Sequence, residues 1–290
     1  MSLEAPWRDT MGLRRSTSPS WCQEGDIPLL QIPGMGQNAI LPDSCHVFHL
    51  GWGVDLAASG LALMARRGCF DGRSFDNRLH DAYKRFTRWC YENNKTTGIS
   101  GWSTRKLDMK SQNDWPTSLG SCNSKAYDTA LVLQWMECCL DNIDPWDCSE
   151  DDFLKGLKYA VATSNMFFKT LRSCGVFIAE PKKSVVYFVG QAMCEAYGHL
   201  ASKCFANNLK LFRLRPKVHF QQHLTLLMGP TSAPVAFSAL NFSCWADEDY
   251  IGRISRLSRS VHPLRSSYRC IQKALGLYKC QFLNWKPASD

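Results

Sequence analysis

At 290 residues, with 45% hydrophobic and 12% aromatic side chains, the chain can bury a core and falls outside the polar, aromatic-poor class of disordered proteins. Net charge is +8, and 12 Lys or Arg against four acids between residues 205 and 290 put an equal excess in the last third, which fits a polyanion surface such as nucleic acid or a solvated face. The 14 cysteines read as reduced thiols: the start, MSLEAPWRDT, has no secretory pattern and no C-x-x-C pair occurs, so a disulfide scaffold and a zinc site are both disfavoured.

In chain order, residues 1–40 are rich in Pro, Gly, Ser and Arg without a sustained period and read as a loose arm. A helix is expected from about Gly53 to Arg67, stopped by Gly68. Its longest apolar run, Val54 to Ala65, is broken by Asp55, Ser59 and Gly60 and falls short of a membrane span, so the chain is expected to be intracellular, in nucleus or cytoplasm. A second helix runs from Ser74 to Asn94, with Phe75, Leu79, Ala82, Tyr83, Phe86, Trp89 and Cys90 on one stripe.

Residues 95–122 are polar apart from a few side chains such as Trp102 and Trp115, and are expected to cross the surface. Ser124 can cap a helix that buries Leu131, Val132, Trp135, Met136 and Cys139. Ser149 and Asp152 suggest a capping box for a helix to about Arg172, with Phe153, Leu157, Ala160, Val161, Ser164, Phe167, Phe168 and Leu171 inward. A further helix, Ser184 to Asn207, carries Phe188, Ala192, Ala196, Tyr197 and Leu200. Pro216 can open a helix over Val218 to Met228, Phe237 to Trp245 reads as a short strand, and helices from Asp247 to Ser260 and from Pro263 to Lys279 finish the chain. The expected fold is mainly α, a helical bundle with at most a small remnant β-sheet.

Three clusters hold candidate chemistry. Asp43, His46 and His49 arrive just before a helix, where Asp43 can cap it and the imidazoles can fill a polar edge of the core. His219 and His223 share a helix face after Arg215 and Lys217, but Phe, Gln and Gln lie between them, without the glutamate of the metalloprotease pattern. Asp247, Glu248 and Asp249 open a helix on which Arg253, Arg256 and Arg259 follow at three-residue intervals. That order suits the helix dipole, and it also suits a metal-holding carboxylate beside a phosphate-facing row. Nucleotide-binding glycine loops and the G-x-S-x-G elbow are absent from the sequence. A thiol-dependent enzyme would need one cysteine far more reactive than the other 13.

With Asp43-Ser-Cys-His46, the late Glu248, the helical stretch between them and the segment RPKVHFQQHL, the chain resembles the back half of the DDE transposases of the CACTA and Plavaka-like groups. The resemblance implies a partial ribonuclease-H-like fold, a helical insertion over about 70–235 and a basic C-terminal part at 236–290 within a domain of 41–290. It implies that Asp43 is the second acid, His46 the motif histidine and Glu248 the third acid, with DNA as partner and Mg2+ as cofactor. His219 and His223 then belong to the late insertion segment, and Arg215, Lys217, Arg253, Arg256 and Arg259 are candidate DNA contacts. The first acid belongs upstream, where Asp26 is the nearby candidate and is followed by Pro28 and Pro33, which disfavour a central strand. Paired ions about 4 Å apart carry the phosphodiester cleavage and strand transfer of such enzymes. Without the first acid that chemistry is impaired, so the expectation is a transposon-derived DNA-binding protein. The alternative is a non-enzymatic helical interaction protein whose basic face takes nucleic acid or an acidic partner.

Overall fold

The computed structural model describes residue 33 and residues 41–119, 125–142, 151–229 and 234–284. Asp26, the expected caps Ser124 and Ser149 and, apart from Pro33, the arm at 1–40 lie outside the described residues. Within them the chain is mainly α with one two-stranded sheet. Wide π-type turns over Cys45–Trp52 lead across a kink at Gly51 into α1 (Gly53–Arg66). Together they form an apolar stretch of 22 residues, longer than the 54–65 run expected, and long and apolar enough to cross a membrane. Its most apolar window is 89% buried inside the protein, as in a core helix.

The amphipathic stripe of α2 (Phe75–Glu92) buries Phe75, Leu79, Ala82, Phe86 and Cys90, and the Ser74 hydroxyl caps it by accepting from the Asn77 N–H. Its partners are α1 and α3 (Ala126–Asn142), and α3 packs in turn on α4 (Asp152–Arg172). The Asp151 carboxylate caps α4, accepting from the Phe153 and Leu154 N–H groups. Strand β1 (Phe177–Ala179) leads to α5 (Lys182–Ala206), which packs along α4, and then to α6 (Pro216–Leu227). Strand β2 (Val235–Phe237) pairs antiparallel with β1, Ile178 opposite Ala236. α1 packs against α2, α3 and α4. A methyl group on Gly60 would come within 2.3 Å of the Met136 Cε, so the end of the Met136 side chain on α3 packs into the space the glycine leaves on α1.

Three expectations are corrected. The polar connection is not only a surface crossing: Ile99, Trp102, Leu107, Met109 and Leu119 are buried, and Trp102 stacks on Phe86 at 5.1 Å while its Nε1–H donates to the Leu119 carbonyl. Single apolar residues in a polar segment can fill a core without any period. The strand expected at 237–245 ends at Phe237, where a 3-10 turn (Ala239–Phe242) begins, capped by Ser238. Phe188 is 67% exposed rather than inward, because α5 buries several sides, including Val186, Met193, Cys194 and Tyr197, and has no single stripe to read.

The chain divides after Ser243 into two compact units. The second, from Cys244, is a hairpin of α7 (Trp245–Ser258) and α8 (Ser266–Asn284), joined through a 3-10 turn at Pro263–Arg265. The two helices pack on one another.

Candidate functional site

At the start of the helical part, Pro42-Asp43-Ser44 leaves backbone N–H groups without intrahelical acceptors, and the Asp43 carboxylate takes them. Its oxygens accept from the Cys45 N–H at 2.9 Å, the His46 N–H at 3.2 Å and the His46 Nδ1 at 2.5 Å. Three of roughly four acceptor positions on that carboxylate are therefore used locally. Glu248 lies in the first turn of α7, in the other unit, and its side chain lies outside the described residues, as do those of Asp247 and Asp249.

His49 is 2% exposed, set against Phe168 with ring centroids 4.3 Å apart. Burial, helped by the charge of Arg172, pulls its pKa down to about 3, so the ring is neutral across the physiological range. It borders a pocket of about 420 Å3 between the π-type turns, α2, α3 and α4, with Trp89, Phe168, Glu137, Asn165 and Arg172 among its walls. Two polar groups of that pocket serve the fold: the Asn165 amide donates to the Leu133 carbonyl at 3.0 Å and to Glu137 at 2.7 Å, tying α4 to α3.

The segment Arg215-Pro-Lys217 is drawn inward by a carboxylate the sequence did not single out for a role. Asp55, 1% exposed on α1, accepts from Arg215 Nη2 at 2.7 Å, and Arg215 Nε lies 2.7 Å from the other oxygen, out of line for a hydrogen bond. Burial pushes the Asp55 carboxyl up to about 6, and the neighbouring charges of Arg215, Arg213 and Lys217 offset this only in part. The Lys217 ammonium reaches the Leu50 carbonyl at 3.4 Å, and its stem crowds Gly51, where an added Cβ would lie 2.7 Å away. Arg215 and Lys217 thus fasten α6 to α1 and the kink beside it. His219 and His223 face each other, Nε2 to Nε2, at 2.8 Å, so one ring donates and the other accepts. Burial and then the charge of His219 lower the His223 pKa. Among the described residues no third metal-ligating group gathers with these two imidazoles, and a structural zinc site takes four ligands.

In the second unit, Arg253 and Arg256 of α7 and Arg259 at its C-cap are exposed, as are Arg265, Arg269, Lys273 and Lys279 beyond it. At 100° per residue the α7 triplet spans about 120° of the helix surface. Arg259, Arg269 and Lys273 are hydrogen-bonded to the neutral side chains of Ser255, Gln272 and Ser260. Comparison of the chain with protein-family models, with curated proteins and with solved structures gives no match.

Among the predicted site residues, the structure brings Asp43 and His46 into one cap, pairs His219 with His223, and leaves Arg253 and Arg256 of α7 and Arg259 at its C-cap exposed. Sequence reading missed Asp55 and Asp128. Asp128, buried at the start of α3, accepts from the Thr97 hydroxyl at 2.6 Å, the Gly98 N–H at 2.8 Å and the Lys125 N–H at 2.8 Å. Asp55 was legible only as an acid breaking an apolar run, and its partner lies 160 residues away.

Proposed function

We propose that the protein binds nucleic acid through the α7–α8 hairpin. The observation that carries this reading is the set of seven exposed cations, Arg253, Arg256, Arg259, Arg265, Arg269, Lys273 and Lys279, in a unit whose whole sequence, 244–290, has eight Lys or Arg against four acids. Arginine rows of this kind neutralise phosphates and fix the register of a protein on a duplex without reading bases. DNA is the nucleic acid implied by the resemblance to transposases, and a transposon-derived origin belongs to the same reading. Phosphodiester cleavage does not: the Asp43 carboxylate is engaged as a helix cap, and an Mg2+ pair needs carboxylate oxygens turned toward the ions.

The test is anisotropy of a fluorescein-labelled 30-bp duplex titrated with the full chain at several salt concentrations. If five of the cations meet phosphates, log K falls against log salt with a slope of about −4.5, roughly a 500-fold loss between 50 and 200 mM. Absence of binding at 50 mM salt, or affinity independent of salt, would overturn the reading. Equal affinity for polyglutamate would instead favour an acidic protein partner.

A further inference from the structure

His219 and His223 stand four residues apart on α6, so their Cβ atoms leave one face of the helix about 5–6 Å apart. From that face the rings close on each other. Their centroids are 4.3 Å apart and their Nε2 atoms 2.8 Å. Both residues are half-buried, so the pair can be reached from solvent.

That narrowing is not the geometry of a straight hydrogen bond. Two imidazoles pointing nitrogen to nitrogen would hold their ring centres about 5 Å apart, the nitrogen spacing plus a ring radius of about 1.1 Å at each end. The shorter centroid spacing means that the ring axes are inclined to the line between the nitrogens, and two rings rising from one helix face incline outward together. Drawn as straight lines through the centroid and nitrogen spacings, the axes meet about 2.1 Å beyond the nitrogens, and a bond from an imidazole nitrogen to a divalent metal is about 2.0–2.1 Å. The nitrogen spacing also sets an angle. Neighbouring positions at 90° around an ion with 2.0 Å bonds lie about 2.8 Å apart, and those of a tetrahedron about 3.3 Å. The observed 2.8 Å matches the right angle. Copper(II) and nickel(II) take that geometry, and they stand at the high-affinity end of the divalent series for nitrogen ligands.

We propose that His219 and His223 form a chelating site for a divalent late transition metal with right-angled coordination, copper(II) or nickel(II), with water in the remaining positions. Burial lowers the pKa of His223, which keeps that ring neutral and its lone pair available at neutral pH. Both Nε2 atoms must be bare to hold the ion, so the ring that donates in the metal-free pair carries its proton on Nδ1 in the bound form or loses it. Magnesium, an ion of oxygen ligands, does not suit such a pair. The inference stands whether or not the hairpin binds nucleic acid.

The test is calorimetric titration of the full chain with NiCl2 at pH 7.5, nickel being chosen because, unlike copper(II), it does not oxidise thiols. The wild type is expected to bind a nickel ion at a site that His219→Asn and His223→Asn each weaken roughly 100-fold, the loss expected when a two-point attachment becomes a one-point attachment. His80→Asn, exposed on α2, is expected to leave that site unchanged. Circular dichroism checks that the variants keep their helix content. A second measurement uses the wild type alone: in an NMR titration of the imidazole nitrogens with less than one equivalent of paramagnetic nickel, His219 and His223 are expected to broaden first and together among the seven histidines. Nickel titrations that are identical for the wild type and both α6 variants, or broadening that begins at other histidines and spares this pair, overturn the inference.

Discussion

Replacing Asp55 with Asn is expected to stabilise the protein progressively, relative to the wild type, as pH rises from 4 to 7. The carboxyl is 1% exposed and burial lifts it from 3.8 to about 6, so the native chain holds that proton more tightly than the unfolded chain does. The contribution of the protonated form to stability is therefore complete below about pH 4 and is lost as pH rises through 6. Two units of pKa correspond to about 3 kcal/mol. His49 acts in the opposite sense: its pKa drops from 6.5 to about 3 on folding, so the unfolded chain gains a proton that the native one refuses, and stability falls as pH drops below 6.5. The two effects partly cancel in the wild type, and the difference between wild type and Asp55→Asn isolates one of them. Urea unfolding followed by tryptophan fluorescence at pH 4, 5, 6 and 7 gives that difference. The variant is expected to gain about 2–3 kcal/mol on the wild type between pH 4 and pH 7. A difference that is constant, or that favours the variant toward acid pH, would refute the claim that desolvation of Asp55 outweighs its attraction to Arg215.

His49→Leu is expected to keep stability that the wild type loses between pH 6.5 and pH 4, read as a smaller drop in Tm over that interval. Asp43→Ala removes the helix cap and is expected to cost about 0.5–2 kcal/mol in urea unfolding, without changing DNA affinity. Burial raises the thiols of Cys90 and Cys204 to about 11 and those of Cys139 and Cys194 to about 12, so labelling of the native chain with a maleimide at pH 7 is expected to spare these four while exposed Cys138 reacts. Rapid modification of any of the four would contradict the packing around it.

The helices were legible where one face is buried and the other wet. The stripe of α2 is read directly from Phe75 to Cys90, and the cap at Ser74 from its chemistry. α5 was placed but misread at Phe188, because a helix surrounded on several sides carries no stripe. Strand β1 has three residues, too few for alternation to register, and its partner lies beyond α5 and α6. In the site, the cap at Asp43 and the row Arg253, Arg256 and Arg259 follow from local spacing. The inward turn of Arg215 does not, since it depends on Asp55 far back in the chain.

The most direct test of the proposed function is the salt dependence of duplex binding by the triple variant Arg253→Gln, Arg256→Gln, Arg259→Gln beside the wild type. All three side chains are exposed, Arg253 and Arg256 on α7 and Arg259 at its C-cap. If the three arginines meet phosphates, the variant binds more weakly and its plot of log K against log salt is shallower by about 2.7. An unchanged slope, with affinity equal to that of the wild type, would contradict a nucleic-acid interface on the α7–α8 hairpin.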